Sequence, residues 1–248
     1  MTEDKTVFLA GATGAIGSRL LPLLARAGYR VHGTTRSQAK AAAIEAAGAT
    51  AVLIDVYDRE KLMTALAAIR PAIVIHQLTD LPPGLDPARM ENAAAANARI
   101  RIEGTRNLVD AATHAGTRLF LAQSIAFAYA PGREPHVEDD ALDTASRGTR
   151  LTTVQGVAAL EQAVLGAPAF DGIVLRYGNL YGPGTGSDAR KGAAPLHVDD
   201  AATATMLAVQ HARPGIFNIA EPNPYVSSAK AERELGWHPD MGCVTDRG

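Results

Sequence analysis

The chain is 248 residues long, 47% hydrophobic, 20% charged and 5% aromatic, with a formal net charge of −2. That length accommodates one large α/β domain or two small ones, with a core that needs no disulfide or metal staple. The near-neutral balance offers nothing to nucleic acid or an anionic membrane, so neither is expected as a partner, and the single cysteine, Cys243, reads as a surface thiol.

The opening "MTEDKTVFLAGATG" runs from acidic and polar residues straight into a short apolar strand, without the basic and apolar regions of a secretion signal. No apolar run approaches the roughly 18 residues a membrane-spanning helix needs, so a cytoplasmic protein is expected. Six short, nearly continuous apolar runs follow in chain order: "TVFLA", "YRVHGT", "TAVLID", "AIVIHQ", "RLFLAQS" and "GIVLRY". Helical stretches are predicted between them over 16–27, 37–47, 59–69, 87–115 and 150–165. Strands alternating with helices predict a parallel sheet covered on both faces, which is why the strands are apolar on both sides. Ser37 and Asp58 stand where they can cap the second and third helices, and Gly28 and Gly116 fall just past helix ends. The Pro/Gly-rich stretches "LPPGLDP", "APGREP" and "YGPGTG" all follow predicted strands, at the sheet end where ligands bind in open α/β folds.

Gly11, Gly14 and Gly17 lie between the first strand and the first helix, in "VFLAGATGAIGSRLL". The first glycine permits a tight turn, the second lets backbone approach a pyrophosphate, and the third lets helix and strand pack closely. With a strand before it and a helix after it, the loop predicts dinucleotide binding, with Thr13, Ala15 and Ile16 supplying the rest of the cradle. The second strand ends without the acidic residue that would accept a ribose 2′-hydroxyl; Arg36 and Lys40 follow it instead. Cations at a helix start are mildly unfavourable unless an anion shares the site, so NADP is the cofactor expected and NAD the other candidate. A solvated Arg at a helix start is the alternative reading of Arg36.

With these segments in order alongside "LIDVYD", "EGTRNLVDAA", "LAQSIAFAY", "VLRYGNLYGPG", "HVDDAATATMLAV" and "AERELGWHP", the chain resembles the extended short-chain dehydrogenase/reductases. The resemblance, from Thr6 to about Pro239, is to their NAD(P)-dependent epimerase/dehydratase-like group. It implies a Rossmann-like doubly wound parallel sheet. Residues 1–178 would form the NADP-binding domain, and 179–248 a small, shortened C-terminal substrate lobe interleaved with it. Asp55 and Val56 would border the adenine, and Leu78 and Thr79 the ribose and pyrophosphate. Ser124 matches the family's catalytic Ser/Thr, which hydrogen-bonds a substrate oxygen. Asn179 and Tyr181 match the link to the substrate lobe. His197, Asp199 and Asp200 match a segment beside the substrate, although the two aspartates could equally cap the helix "AATATMLAV".

The family's acid/base pair is a Tyr with a Lys four residues later. Aligned on Glu161, Thr153 stands at the Tyr position and Val157 at the Lys position, and neither does that work. Candidate replacements are Tyr129, Tyr177, Tyr181 and His197, with His76 beside the cofactor; no metal-ligand pattern is present. Only eight residues, 187–194, separate "YGPGTG" from "PLHVDD", so a small or hydrophobic carbonyl or hydroxyl substrate is expected instead of a nucleotide sugar. Three readings stay open: an oxidoreductase or epimerase-like enzyme with a non-standard acid/base, a non-redox isomerase, cyclase or lyase, and a non-catalytic NADP sensor. The resemblance also implies a homodimer pairing helices 87–115 and 150–165.

Overall fold

The computed structural model describes residues 4–82 and 90–242, with backbone alone at positions 90 and 91. Seven parallel strands form one sheet in the order β3-β2-β1-β4-β5-β6-β9. They are β1 Thr6–Ala10, β2 Arg30–Thr35, β3 Thr50–Leu53, β4 Ile73–His76, β5 Leu119–Ile125, β6 Asp171–Tyr177 and β9 Gly215–Ile219. A parallel pair, β7 Asn179–Tyr181 and β8 Pro195–His197, stands apart from the sheet. The helices are α1 Gly17–Arg26, α2 Gln38–Ala46, α3 Arg59–Ile69, α4 Met90–Arg99, α5 Thr105–Ala115, α6 Gly148–Leu165, α7 Val198–His211 and α8 Ala229–Leu235. A π turn, Ile100–Gly104, joins α4 to α5, so the long helix expected here carries a bulge; its expected first residues, 87–89, lie outside the described residues.

Successive residues of β1 serve opposite cores. Val7 and Leu9 join Leu20, Leu24, Ile44 and the α7 residues on one face. Phe8 and Ala10 join Leu62, Leu66, Leu108 and Leu160 on the other. This period of two inside an uninterrupted apolar run is what burial on both faces requires.

Local signals act as their chemistry directs, with one exception. Asp58 accepts the Lys61 amide at 3.1 Å and so caps α3, and Gly116 ends α5 in the left-handed conformation at φ 74°. Ser37 occupies the N-cap position of α2 without a side-chain cap bond; its own amide donates to Thr35 Oγ1 at 3.1 Å. Strand β9 was not among the six predicted runs, because Gly215 and Asn218 interrupt a five-residue stretch. It closes the sheet beside β6, so a strand from the residues after 178 belongs to the same sheet as β1–β6.

Candidate active site

A cleft of about 670 Å³ opens at the carboxyl ends of β1, β2, β4, β5 and β6. Its floor at β1 is the glycine loop. Gly11 has φ 92°, and a Cβ there would lie 2.8 Å from the backbone carbonyl of Gln77. A Cβ on Gly17 would lie 2.1 Å from the Gly11 oxygen, and one on Gly14 3.3 Å from the same atom. The loop therefore closes on itself as tightly as backbone allows, with the α1 N-terminus and the cleft-lining residues Thr13, Ala15 and Ile16 facing the opening. Gly17 itself supports the turn and does not line the cleft.

Around this floor, Arg36, Lys40, Asp55, Val56, Leu78 and Thr79 all line the same cleft. Arg36 and Lys40 stand at the end of β2, where Arg36 approaches Asp80 at 3.5 Å across an exposed gap. Asp55 accepts the Tyr57 amide at 3.0 Å, and the Val56 carbonyl accepts from Asn107 at 3.0 Å, which fixes the turn after β3. Next to Leu78 is an unexpected group: the buried Gln77 lines the cleft, its amide nitrogen donates to Tyr177 at 3.3 Å, and its Oε1 has no partner among the described residues. A buried acceptor left open costs about 1–3 kcal/mol until a ligand donates to it. The closed glycine cradle, the two cations at β2 and this orphaned acceptor fit a nicotinamide dinucleotide.

Ser124 lines the cleft at the end of β5, but its hydroxyl donates inward to Glu161 Oε1 at 2.7 Å. Arg176, on the neighbouring strand β6, grips the same carboxylate twice, at 2.9 Å to Oε1 and 2.7 Å to Oε2. Its other nitrogen donates to the Tyr129 hydroxyl at 2.8 Å, and Tyr129 donates on to Asn218 Oδ1 at 2.6 Å. Five side chains from β5, α6, β6, the loop after β5 and β9 thus form one buried chain of charge-assisted bonds. Tyr129 is consequently fully engaged below the cleft wall, and burial raises its pKa against the lowering pull of Arg176 and Asn218.

The remaining candidates sit elsewhere. Thr153 bonds the Thr149 carbonyl of its own helix at 3.0 Å, and Val157 packs into a small apolar cluster with Ala128 and Val154. His197 occupies the N-cap position of α7, its Nδ1 accepting the Asp199 amide at 3.4 Å and its ring meeting Tyr181 edge-on at 5.1 Å. Tyr181 is raised in pKa by burial and then by its bond to Glu221. Neither His197 nor Tyr181 lines the cleft. Asp199 pairs with Arg19 of α1, and Asp200 accepts the amides of Gly242 at 2.7 Å and Asp240 at 3.0 Å, so both tie elements together. His76 is buried against Thr105 at 3.0 Å, and burial pushes its pKa down to about 3, so it stays neutral. Tyr177 lines the cleft, but burial pushes it up to about 12 and Thr205 shares its hydroxyl at 2.6 Å.

The family model described as the NAD dependent epimerase/dehydratase family matches residues 7–196. The chain belongs to that family. A curated relative, 3-diazoavenalumate denitrifying reductase of a Streptomyces species, is 36% identical over 285 aligned residues, covering 98% of this chain and 91% of the relative. Among solved structures, UDP-glucose 4-epimerase from Brucella ovis in complex with NAD is 20% identical with a TM-score of 0.73, covering 95% of this chain and 93% of that one. The Bordetella bronchiseptica enzyme WbmG in complex with NAD is likewise 20% identical, with a TM-score of 0.70 over 96% of this chain and 90% of its own. These likenesses make the protein an NAD(P)-binding, oxidoreductase- or epimerase-like member of the family with the family's fold. Within that frame, sequence reasoning missed Glu161 and Arg176 of the buried network beneath the cleft, Gln77 at the cleft itself, and Asn218 at the network's far end. The first two did carry a signal: a lone acid in an apolar helix and a lone base in "GIVLRY" are each almost never buried unpaired.

No described helix is long and apolar enough to cross a membrane.

Proposed function

We propose that this family member is an NADP-dependent reductase whose acceptor takes a hydride without needing a proton from the protein. The observation that carries the reading is the make-up of the cleft wall at the ends of β5 and β6. Among the described residues it consists of Gln123, Ser124, Ile125, Phe127, Tyr177, Gly178 and Asn179, in which Tyr177 is the one ionisable group, while Lys191 lines the same cleft from the β7–β8 segment. That phenol is held near pKa 12 by burial, too weak an acid to deliver a proton near neutrality. With Thr153 and Val157 in place of the family pair, α6 meets this wall through Glu161, whose carboxylate accepts from Ser124 at 2.7 Å and is held twice by Arg176.

Bound in the cleft, the dinucleotide supplies a hydride. A carbonyl that receives one must also gain a proton, which is the task of the missing pair. An aromatic diazo group does not: replacing it by hydrogen takes one hydride, and the carbon–nitrogen electron pair leaves with dinitrogen. The curated relative's name, a reductase that denitrifies a diazo acid, supports the same chemistry here. The short segment between β7 and β8 and the apolar Ile125, Phe127 and Leu180 suit a compact aromatic acid. Ser124, whose hydrogen is committed to Glu161, offers lone pairs to the cleft and serves as an electron-rich contact for a cationic acceptor. His197, Tyr129 and Tyr181 act in this scheme as scaffold for the lobe and the buried network.

Arg36 and Lys40 give the preference for NADP, holding the 2′-phosphate in place of Asp80. Replacing Arg36 with Ala is expected to weaken NADPH binding about 10-fold while leaving NADH unchanged, as read by fluorescence titration of both cofactors. A homodimer pairing the α4–α5 stretch and α6 completes the reading.

The test is cofactor oxidation at 340 nm with 4-carboxybenzenediazonium and with a panel of aldehydes and ketones. Protein-dependent oxidation with one dinitrogen released per NADPH is expected from the first, and none from the carbonyls. Turnover of the carbonyls instead would sink the proposal.

A further inference from the structure

The π turn between α4 and α5 turns two consecutive side chains, Ile100 and Arg101, into the cleft. Such turns occur mostly as single bulges inside α-helices, frequently at functional sites. Arg101 is 4% exposed, yet its guanidinium makes no hydrogen bond or ion pair among the described residues. Its stem crosses α6 over Gly156, where an added Cβ would lie 3.5 Å from Arg101 Cδ and 2.9 Å from Ala98 Cα. Gly156 therefore makes room for this side chain, one residue from Val157.

The charge around Arg101 is unbalanced. Glu161 is the acid that acts on it, but both Glu161 oxygens are taken by Arg176 and one also by Ser124. His76, the other titratable group it influences, is neutral. Two buried guanidiniums thus face one carboxylate, and desolvation pulls Arg101 down to about 10. A buried cation in that state is unfavourable until a ligand brings the counter-charge, and a guanidinium fork is matched by a carboxylate.

We propose that Arg101 is the receptor for the substrate's carboxylate, gripping it in the cleft beside the place where α6 carries Val157. This deepens the reading of the cleft as a reductase site for an aromatic acid and rests on it for the identity of the acid. The geometry itself requires only an oxyanion, which a cofactor phosphate could also supply, so the test separates the two.

The full chain saturated with NADP+ is titrated calorimetrically with trans-cinnamate and with cinnamamide, which differ only in the charged group. Wild-type protein is expected to bind the acid about 10- to 100-fold more tightly than the amide, the range for charge-assisted hydrogen bonds. Arg101→Gln should bring the acid to the level of the amide, and Arg101→Lys, which keeps the charge and loses the fork, should fall between. Because the guanidinium has no hydrogen bond or ion pair among the described residues, Arg101→Met is expected to raise the melting temperature of the cofactor-free protein. A residue with a merely structural role would lower it. The inference is overturned if wild-type protein fails to bind cinnamate or does not distinguish it from the amide, or if Arg101→Gln keeps the difference. It is equally overturned if Arg101→Gln weakens NADP+ binding without acid as much as it was to weaken the acid, which would assign the guanidinium to a cofactor phosphate. Binding needs no turnover. Failure of the diazonium assay with intact acid binding would therefore count against the reaction and not against the receptor.

Discussion

Glu161→Leu is expected to destabilise the protein by about 3–5 kcal/mol, the range for breaking a buried ion pair from one side. The loss comes from what is left behind. Arg176 would keep its bonds to Tyr129 at 2.8 Å and to the Glu138 carbonyl at 3.1 Å, but its charge would stand uncompensated in the core. Ser124 would lose its acceptor at the same moment. At this chain length such a change lowers the melting temperature by roughly 2–4 °C per kcal/mol. The double variant Glu161→Leu/Arg176→Met should recover much of the loss, because it removes both charges together. Thermal or urea unfolding of the two single variants and the double one reads this directly. A single-variant effect below about 1 kcal/mol would mean that the network contributes no more than an exposed pair.

Gly17→Ala is the second large effect, and it falls on binding. The added methyl would have to occupy a point 2.1 Å from the Gly11 oxygen and 2.9 Å from Ala12 Cα, so the loop and the α1 N-terminus must separate. Misplacing ligand-holding groups by about 1 Å costs on the order of 100-fold, and that is the expected rise in the NADPH dissociation constant. Gly28→Ala is the matched control. It also has a positive φ, of 79°, but nothing lies within 4 Å of its added methyl, so it should cost about 1 kcal/mol of stability and leave NADPH binding alone. Equal loss of binding in both variants would show that the effect is general strain and not the shape of the cradle.

The glycine cradle and the buried network differ in how far the sequence makes them legible. The glycine loop is local: strand, turn and helix follow one another within a dozen residues, so spacing alone predicts a cradle that Gly11 and Gly17 then form. The absence of Tyr and Lys at 153 and 157 is local too, once the helix is aligned. The buried network is not. Tyr129 meets Asn218 across 89 residues and Ser124 meets Glu161 across 37, and each pairing exists only because parallel crossovers bring those strands and helices to one place. The same distance hid β9, whose Asn218 interrupts an apolar run for the sake of that network. Tyr129 was a reasonable acid candidate from its nearness to Ser124 in sequence; its hydroxyl points to Arg176 and Asn218 instead. His197 likewise lies at the head of α7, facing Tyr181 and Asp199.

Among the described residues, the cleft wall at the ends of β5 and β6 holds Tyr177 as its one titratable side chain, with His76 buried against Thr105 and Lys191 lining the cleft from the β7–β8 segment. His76 at about 3 and Tyr177 at about 12 both lie outside the range in which an enzyme of this kind works, and burial is the leading cause of each shift. The most direct test is the pH dependence of kcat/KM for 4-carboxybenzenediazonium with saturating NADPH between pH 5.5 and 8, corrected for the rate without protein. A profile flat within a factor of two is predicted. A limb of unit slope or a bell within that window would reveal a protein acid or base in the hydride step and overturn hydride transfer without a protein proton.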